Sequence, residues 1–233
     1  MTPLEKELGL KFKDVNLLMT AFVHRSFVNE SKAAKENNER LEYLGDAVLE
    51  LATTEYLFHS FPERPEGELT SLRSAMVRKE NLAAIAKTLG LGKHLQLSRG
   101  EESSGGREKD YLLANAFEAL LGALYLDRGY EACKTFLAQH LFPTLTTILS
   151  GSLHIDPKSA FQEFTQGQMK VTPHYVVSSE SGPDHDKTFV VAAYLGDKLI
   201  ARGKGASKRK AEEAAAKLAL AKLAKVHKKG KGA

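Results

Sequence analysis

The run from Asn38 to Leu51, Asn-Glu-Arg-Leu-Glu-Tyr-Leu-Gly-Asp-Ala-Val-Leu-Glu-Leu, leaves little room for anything but an amphipathic helix. Leu41, Leu44, Val48 and Leu51 recur at steps of three and four, which aligns them as an apolar stripe. Glu39, Glu42 and Asp46 recur at the same steps and stack on a second face. Like charges so spaced cost an isolated helix about 0.2–0.5 kcal/mol per pair. Such a face is either solvated surface or a place where carboxylates hold a divalent cation. Gly45 bears on that choice. Glycine inside a helix costs about 0.8–1 kcal/mol relative to alanine. It is tolerated where another backbone, a substrate or a partner subunit comes close, and here it sits beside Asp46.

A second helix, Asp110 to Asp127, is apolar enough to be the centre of a bundle. Asn115 and Glu118 share one face of it, flanked by Ala119 and Gly122. Polar groups on a buried helix need partners. They find them in a hydrogen-bond network or in a metal. Packing this helix on the acidic one gathers Glu42, Asp46, Asn115 and Glu118 into one oxygen cluster. All-oxygen sites favour Mg²⁺ or Mn²⁺ over zinc or copper.

The charge is divided unevenly. Residues 1–152 hold 18 Lys and Arg against 21 Asp and Glu, whereas residues 153–233 hold 15 against 8. A first part at net −3 followed by a second at net +7 indicates two domains, the second facing a polyanion. The 42% hydrophobic content supplies a buried core. No segment approaches the ~18 consecutive apolar residues of a membrane span. The early acids and the lack of an apolar signal core argue for a cytoplasmic chain without membrane contact. A single cysteine, Cys133, rules out an intrachain disulfide and a thiolate zinc cluster.

The first part reads as almost all helix. Short helices are expected over Leu4–Leu10 and Val15–Ala21, the latter capped by Asp14 and ended by His24-Arg25-Ser26. A polar loop spans Ser31–Asn38, and the acidic helix can run on to His59. Thr70 opens a helix to Val77, Asn81–Leu89 is another, and Ser98–Arg107 is a loop. Tyr130–Leu149 is helical with a break at Pro143. Beyond a connection at residues 150–154 the period changes. A helix over Ser159–Gln168 precedes strands at Tyr175–Val177, Thr188–Leu195 and Lys198–Gly203, with Gly196-Asp197 as a turn. An alanine-rich helix from Ser207 to Ala224 follows, and Lys225–Ala233 is a basic tail expected to be disordered.

These residues resemble the ribonuclease III family over nearly the whole chain. The resemblance runs from Leu8-Gly-Leu-Lys-Phe-Lys-Asp14 and His24-Arg25-Ser26 through Asn38-Glu-Arg-Leu-Glu-Tyr-Leu-Gly-Asp46. It continues at Glu66-Gly67-Glu68-Leu69-Thr70 and Ala114-Asn115-Ala116-Phe117-Glu118-Ala119. Residues 155–224 look like a double-stranded RNA-binding domain, most tellingly at Gly203-Lys-Gly-Ala-Ser-Lys-Arg-Lys-Ala-Glu-Glu-Ala-Ala-Ala216. The order is that of the simple bacterial enzymes. The implied fold is multidomain: an all-α nuclease domain over 3–128 with the helix to about 149 packed on it, then an α+β (α-β-β-β-α) domain.

The resemblance implies a homodimeric endoribonuclease that cuts double-stranded RNA, with one strand cut at each centre. Its products carry 5′-phosphate and 3′-hydroxyl ends with short 3′ overhangs. Expected targets are ribosomal, messenger and transfer RNA precursors. By position, Glu42, Asp46, Asn115 and Glu118 are the metal-site residues, with Asp46 and Glu118 catalytic and Mg²⁺, or Mn²⁺ in its place, as cofactor. No small-molecule organic cofactor is implied. Glu39 and Glu66 match accessory acidic positions, and Tyr43 an aromatic position at the dimer interface. In the second domain, Gln162 and Glu163 match residues that reach a minor groove, and Pro183 and His185 match residues of a loop entering the next. Lys208, Arg209 and Lys210 open the last helix, where side-chain charge adds to the helix dipole as a phosphate clamp. His24 reads as structural.

Asn115 departs from the pattern, since many members carry aspartate there. Its amide oxygen can still ligate a metal, at the loss of one negative charge. A ligand variant that remains active is the leading reading. The alternative is an impaired site on a non-cleaving double-stranded RNA-binding protein, although such a protein has no need of Glu42, Asp46 and Glu118. A hydrolase of small substrates leaves the basic second domain without a purpose.

Overall fold

The computed structural model describes residues 2–31, 36–151, 156–183 and 186–230. The chain divides into two units, Met1–His154 and Ile155–Ala233. Among the described residues no helix is long and apolar enough to cross a membrane.

In the first unit Thr2 and Glu5 form a capping box that starts α1 (Pro3–Leu8). Asp14 accepts the Asn16 N–H at 2.9 Å and starts α2 (Val15–Thr20). His24 does not end a segment as expected. Its ring nitrogen accepts the Ser26 N–H and opens α3 (Arg25–Val28). The acidic helix is α4 (Glu39–Ser60). Next, α5 (Glu66–Val77) starts four residues ahead of Thr70, because Glu66 and Glu68 suit the positive end of a helix behind Pro65. After α6 (Lys79–Thr88), the expected loop over Ser98–Arg107 contains α7 (Arg99–Ser103), since the Ser98 side chain accepts the Glu101 N–H. The central helix is α8 (Asp110–Arg128). Pro143 separates α9 (Tyr130–His140) from α10 (Thr144–Ser150).

The core is built around α8, whose Leu112, Leu113, Phe117, Leu120, Leu121 and Leu124 are all buried. Phe117 meets Phe136 of α9 at 5.8 Å between ring centres. The apolar stripe of α4 needs correcting. The face that packs inward is Leu41, Gly45, Val48, Leu49, Ala52 and Leu57, while Leu51 is 58% exposed and Leu44 only half-buried. Leucines surround this helix on more than one side, so spacing alone did not select the inner set. Cys133 is buried, and burial pushes its thiol up to about 12.

In the second unit Asp156 caps α11 (Pro157–Met169) through the Ser159 N–H at 2.8 Å. Three antiparallel strands follow in the order β1-β2-β3: β1 (Pro173–Ser181), β2 (Thr188–Leu195) and β3 (Lys198–Gly205). Gly196, at φ 53°, makes the turn between the last two. The last helix is α12 (Lys208–Gly230). It continues past Ala224 because Lys225-Val-His-Lys-Lys229 contains no helix breaker. Residues 231–233 of the expected tail and 152–154 of the expected connection lie outside the described residues. Gly203 and Gly205 let β3 lie directly on α12, since a Cβ on Gly203 would come within 2.1 Å of the Ala215 nitrogen. Phe161, Ala193, Ile200, Ala215, Ala216 and Ala219 form this small core. The alanines of α12 are therefore packing residues that allow close approach.

Candidate active site

Two helices carry the acidic set, and two glycines let them meet. A Cβ on Gly45 of α4 would lie 1.8 Å from the Glu118 carbonyl oxygen, and a Cβ on Gly122 of α8 would lie 2.2 Å from the Leu41 carbonyl oxygen. Only glycine at both positions permits a crossing this close. The backbone approach expected at Gly45 thus comes from Glu118 itself. Glu42 and Asp46, on either side of Gly45 in sequence, are set beside Asn115 and Glu118.

The start of α4 is anchored from behind. Asn38 is buried, its amide donates to the Ala21 carbonyl at 3.2 Å, and its N–H donates to the Val23 carbonyl at 2.8 Å. Glu39 is exposed, pairs with Arg25 at 3.5 Å, and accepts from the Asn37 amide at 3.0 Å.

The four oxygen donors interact electrostatically. Burial raises the Glu42 carboxyl above its usual range, the Glu39 and Asp46 charges add to this, and a hydrogen bond from Asn115 opposes it. Glu118 is pushed up to about 8, mainly by burial, then by the negative charges of Asp46 and Glu42. A carboxyl this perturbed next to two others is a site short of positive charge. A divalent cation fits that deficit, and the donors, three carboxylates and an amide, are hard oxygens. Among the described residues no three Asp, Glu, His or Cys side chains converge as a cage by themselves.

Glu66 is not drawn into this set. It stands at the start of α5, accepts from the Thr70 hydroxyl at 2.9 Å, and lines a separate cleft of about 410 Å³ with Phe58, Arg64 and Arg73. Tyr43 is 82% exposed on α4. It borders a groove of about 890 Å³ lined by Leu17, Val28, Leu44 and Leu126.

A third space, a cavity of about 440 Å³, opens beside Glu42 and Asn115. His24, Arg25, Ser26, Asn29, Glu101 and Tyr111 line it, a set drawn from separate elements that residue spacing does not gather. Burial holds the His24 imidazole below its usual pKa, with Glu101 pulling the other way. Glu101 is fixed by Lys109 at 2.7 Å, and that hydrogen bond lowers its carboxyl. The available signal was Ser98-Arg-Gly-Glu101, a serine followed three residues later by glutamate, which marks a helix start rather than a loop.

In the second unit Gln162 and Glu163 are exposed on α11, and Pro183 is exposed after β1. His185 lies outside the described residues. Lys208, Arg209 and Lys210 are exposed on the first turn of α12, where the Ser207 hydroxyl accepts the Lys210 N–H at 3.2 Å. Arg209 also pairs with Glu213 at 2.9 Å.

Two family models match the chain: Ribonuclease-III-like over residues 14–145 and Double-stranded RNA binding motif over residues 157–223. Ribonuclease 3 of Treponema denticola is 44% identical over 94% of this chain and 89% of its own length. Ribonuclease 3 of Oceanobacillus iheyensis is 47% identical over 94% of this chain and 96% of its own length. A solved nuclease domain of ribonuclease III from Campylobacter jejuni is 46% identical with a TM-score of 0.56. It covers 60% of this chain and 96% of that one, and its description concerns flexibility in a region involved in dimer formation.

Proposed function

Because the chain belongs to the ribonuclease III family, it is an endoribonuclease of double-stranded RNA, and we propose that it cuts with Mg²⁺ held by Glu42, Asp46, Asn115 and Glu118. The observation that carries this reading is the glycine crossing of α4 and α8, which sets two carboxylates of one helix against the third carboxylate and the amide of the other. Held by these four residues, a divalent cation would lower the pKa of a water and offset charge on the leaving oxygen. Asp46 and Glu118 orient the attacking water, whose oxygen bonds to phosphorus. The bond from phosphorus to the 3′ oxygen breaks, and that oxygen takes a proton. The products are a 5′-phosphate and a 3′-hydroxyl. Asn115 keeps Glu42 ordered through their hydrogen bond. Glu39 and Glu66 act as accessory acids along the RNA path.

The protein works as a homodimer. Supporting this are the exposed Tyr43 and Leu126, which border one groove with Leu17, Val28 and Leu44, a surface for which a second copy is the natural cover. The second domain holds the duplex by shape and phosphate, through Gln162, Glu163, Pro183, His185 and the basic first turn of α12. Its cellular role is the processing of ribosomal RNA precursors and of some messenger and transfer RNAs, in the cytoplasm. The test is end-labelled duplex RNA incubated with and without Mg²⁺, beside Glu118→Ala. Cleavage that needs both the ion and Glu118 supports the reading, and equal cleavage by the variant overturns it.

A further inference from the structure

The cavity bounded by α3, α7 and the first turns of α4 and α8 presents donors and acceptors together. One chain of hydrogen bonds fixes its imidazole. The Ser98 N–H donates to the Ser26 hydroxyl at 3.0 Å, and that hydroxyl lies 2.8 Å from His24 Nδ1. The Ser26 N–H donates to the same nitrogen at 3.3 Å. With Nδ1 accepting, the ring proton of neutral His24 sits on Nε2. That leaves Nε2–H as the donor that the ring can offer the cavity it lines. Glu39, Glu42 and Glu101 supply acceptors on the same walls.

Glu39, Glu42 and Glu101 outnumber Arg25, which Glu39 already engages at 3.5 Å, and so oppose a phosphate in this space. A-form RNA keeps its major-groove base edges out of reach of side chains and displays its 2′-hydroxyls in a wide, shallow minor groove. A strand lying over Glu42 and Asn115 can instead present ribose, whose 2′-hydroxyl both donates and accepts. We propose that this cavity is a ribose pocket in which His24 Nε2–H donates to the 2′-hydroxyl of a nucleotide next to the cut bond, and that hydroxyl donates to Glu39. The pocket makes His24 a specificity residue that tells RNA from DNA beside the cleavage centre. The inference rests on the proposed role of Glu42 and Asn115 in cleavage.

The test is a scan of duplex substrates carrying single 2′-deoxy substitutions around the cut, measured in Mg²⁺ with the native chain and with His24→Asn. Asparagine is a good N-cap and can still accept the Ser26 N–H, so α3 keeps its start while the ring donor is lost. Native enzyme should show one position where the deoxy substitution raises KM about five- to tenfold with kcat little changed, as expected for one lost hydrogen bond. His24→Asn should raise KM by a similar factor on all-ribose substrate and be indifferent to that deoxy position. Equal sensitivity in native and variant overturns the pocket. So does a native scan with no sensitive position, which needs no variant at all. Failure of both the native chain and Asn115→Asp to cut all-ribose duplex would instead sink the assignment of the cleavage centre.

Discussion

Gly45 and Glu118 touch backbone to backbone: a Cβ on the first would lie 1.8 Å from the carbonyl oxygen of the second. Gly45→Ala must therefore push α4 off α8. Overpacking costs about 1–3 kcal/mol, which for a chain of this size lowers Tm by roughly 2–12 °C. A shift of about 1 Å between the two halves of the site should also cut kcat on the order of 10²-fold. Thermal melts and cleavage rates check both. Gly67→Ala is the control, because nothing lies within 4 Å of a Cβ there. An unchanged Tm and rate for Gly45→Ala would mean that the crossing is not tight.

The Glu118 carboxyl gives metal-free protein a characteristic pH dependence. Its folded pKa, about 8, stands above the ordinary 4.5. Between those values the folded state binds more protons than the unfolded state, so stability falls as pH rises through this window. Metal-free chain should melt at a lower temperature at pH 8 than at pH 5.5. Glu118→Gln should flatten that slope and melt higher than the native chain at pH 8. Adding Mg²⁺ at pH 8 should restore the native chain and leave Glu118→Gln nearly unchanged. A pH slope identical in native and variant would assign the effect elsewhere.

Much of this site could be read from the sequence because its parts are short-range. Glu39, Glu42 and Asp46 share a face by helical period alone, as do Asn115 and Glu118, and the order α-β-β-β-α of the second domain follows from changes of period. Gly45 also pointed to a close neighbour, though spacing could not say that the neighbour was the Glu118 backbone. What failed depends on tertiary contacts or unusual caps. The inner face of α4 was only half legible: Leu41 and Val48 pack inward as expected, but Leu44 and Leu51 do not, because an exposed leucine spaced like a core leucine looks the same in sequence. His24 as a helix cap was missed because histidine is not among the usual capping residues. Glu66 matches an acidic position in sequence yet faces a different cleft within the chain.

Asn115 lowers the negative charge of the set by one. Asn115→Asp should tighten Mg²⁺ binding by about tenfold, equivalent to about 1.4 kcal/mol. The same change adds a like charge beside Glu42 and Glu118, so metal-free Asn115→Asp should melt lower than the native chain. Mg²⁺ dependence of cleavage and metal-free melts read the two effects. A native chain inert at every Mg²⁺ concentration, with an active Asn115→Asp, would make the native site an impaired one.

Lys208→Ala/Arg209→Ala should weaken binding to all duplexes alike and reduce the slope of log K against log salt by about 1–2. Lys208 should carry the larger share, since Arg209 is already paired with Glu213. Filter binding at several salt concentrations, on duplexes of unrelated sequence, checks this. A change in sequence preference with an unaltered salt slope would contradict a phosphate role.

The central claim is that Glu42, Asp46, Asn115 and Glu118 form one metal site across the α4–α8 crossing. Its most direct test is Mn²⁺ binding followed by electron paramagnetic resonance in the absence of RNA, for the native chain and for Glu118→Gln. The account predicts saturable binding by the native chain, competed by Mg²⁺, and its loss or at least tenfold weakening in the variant. Equal saturable binding by both would contradict it.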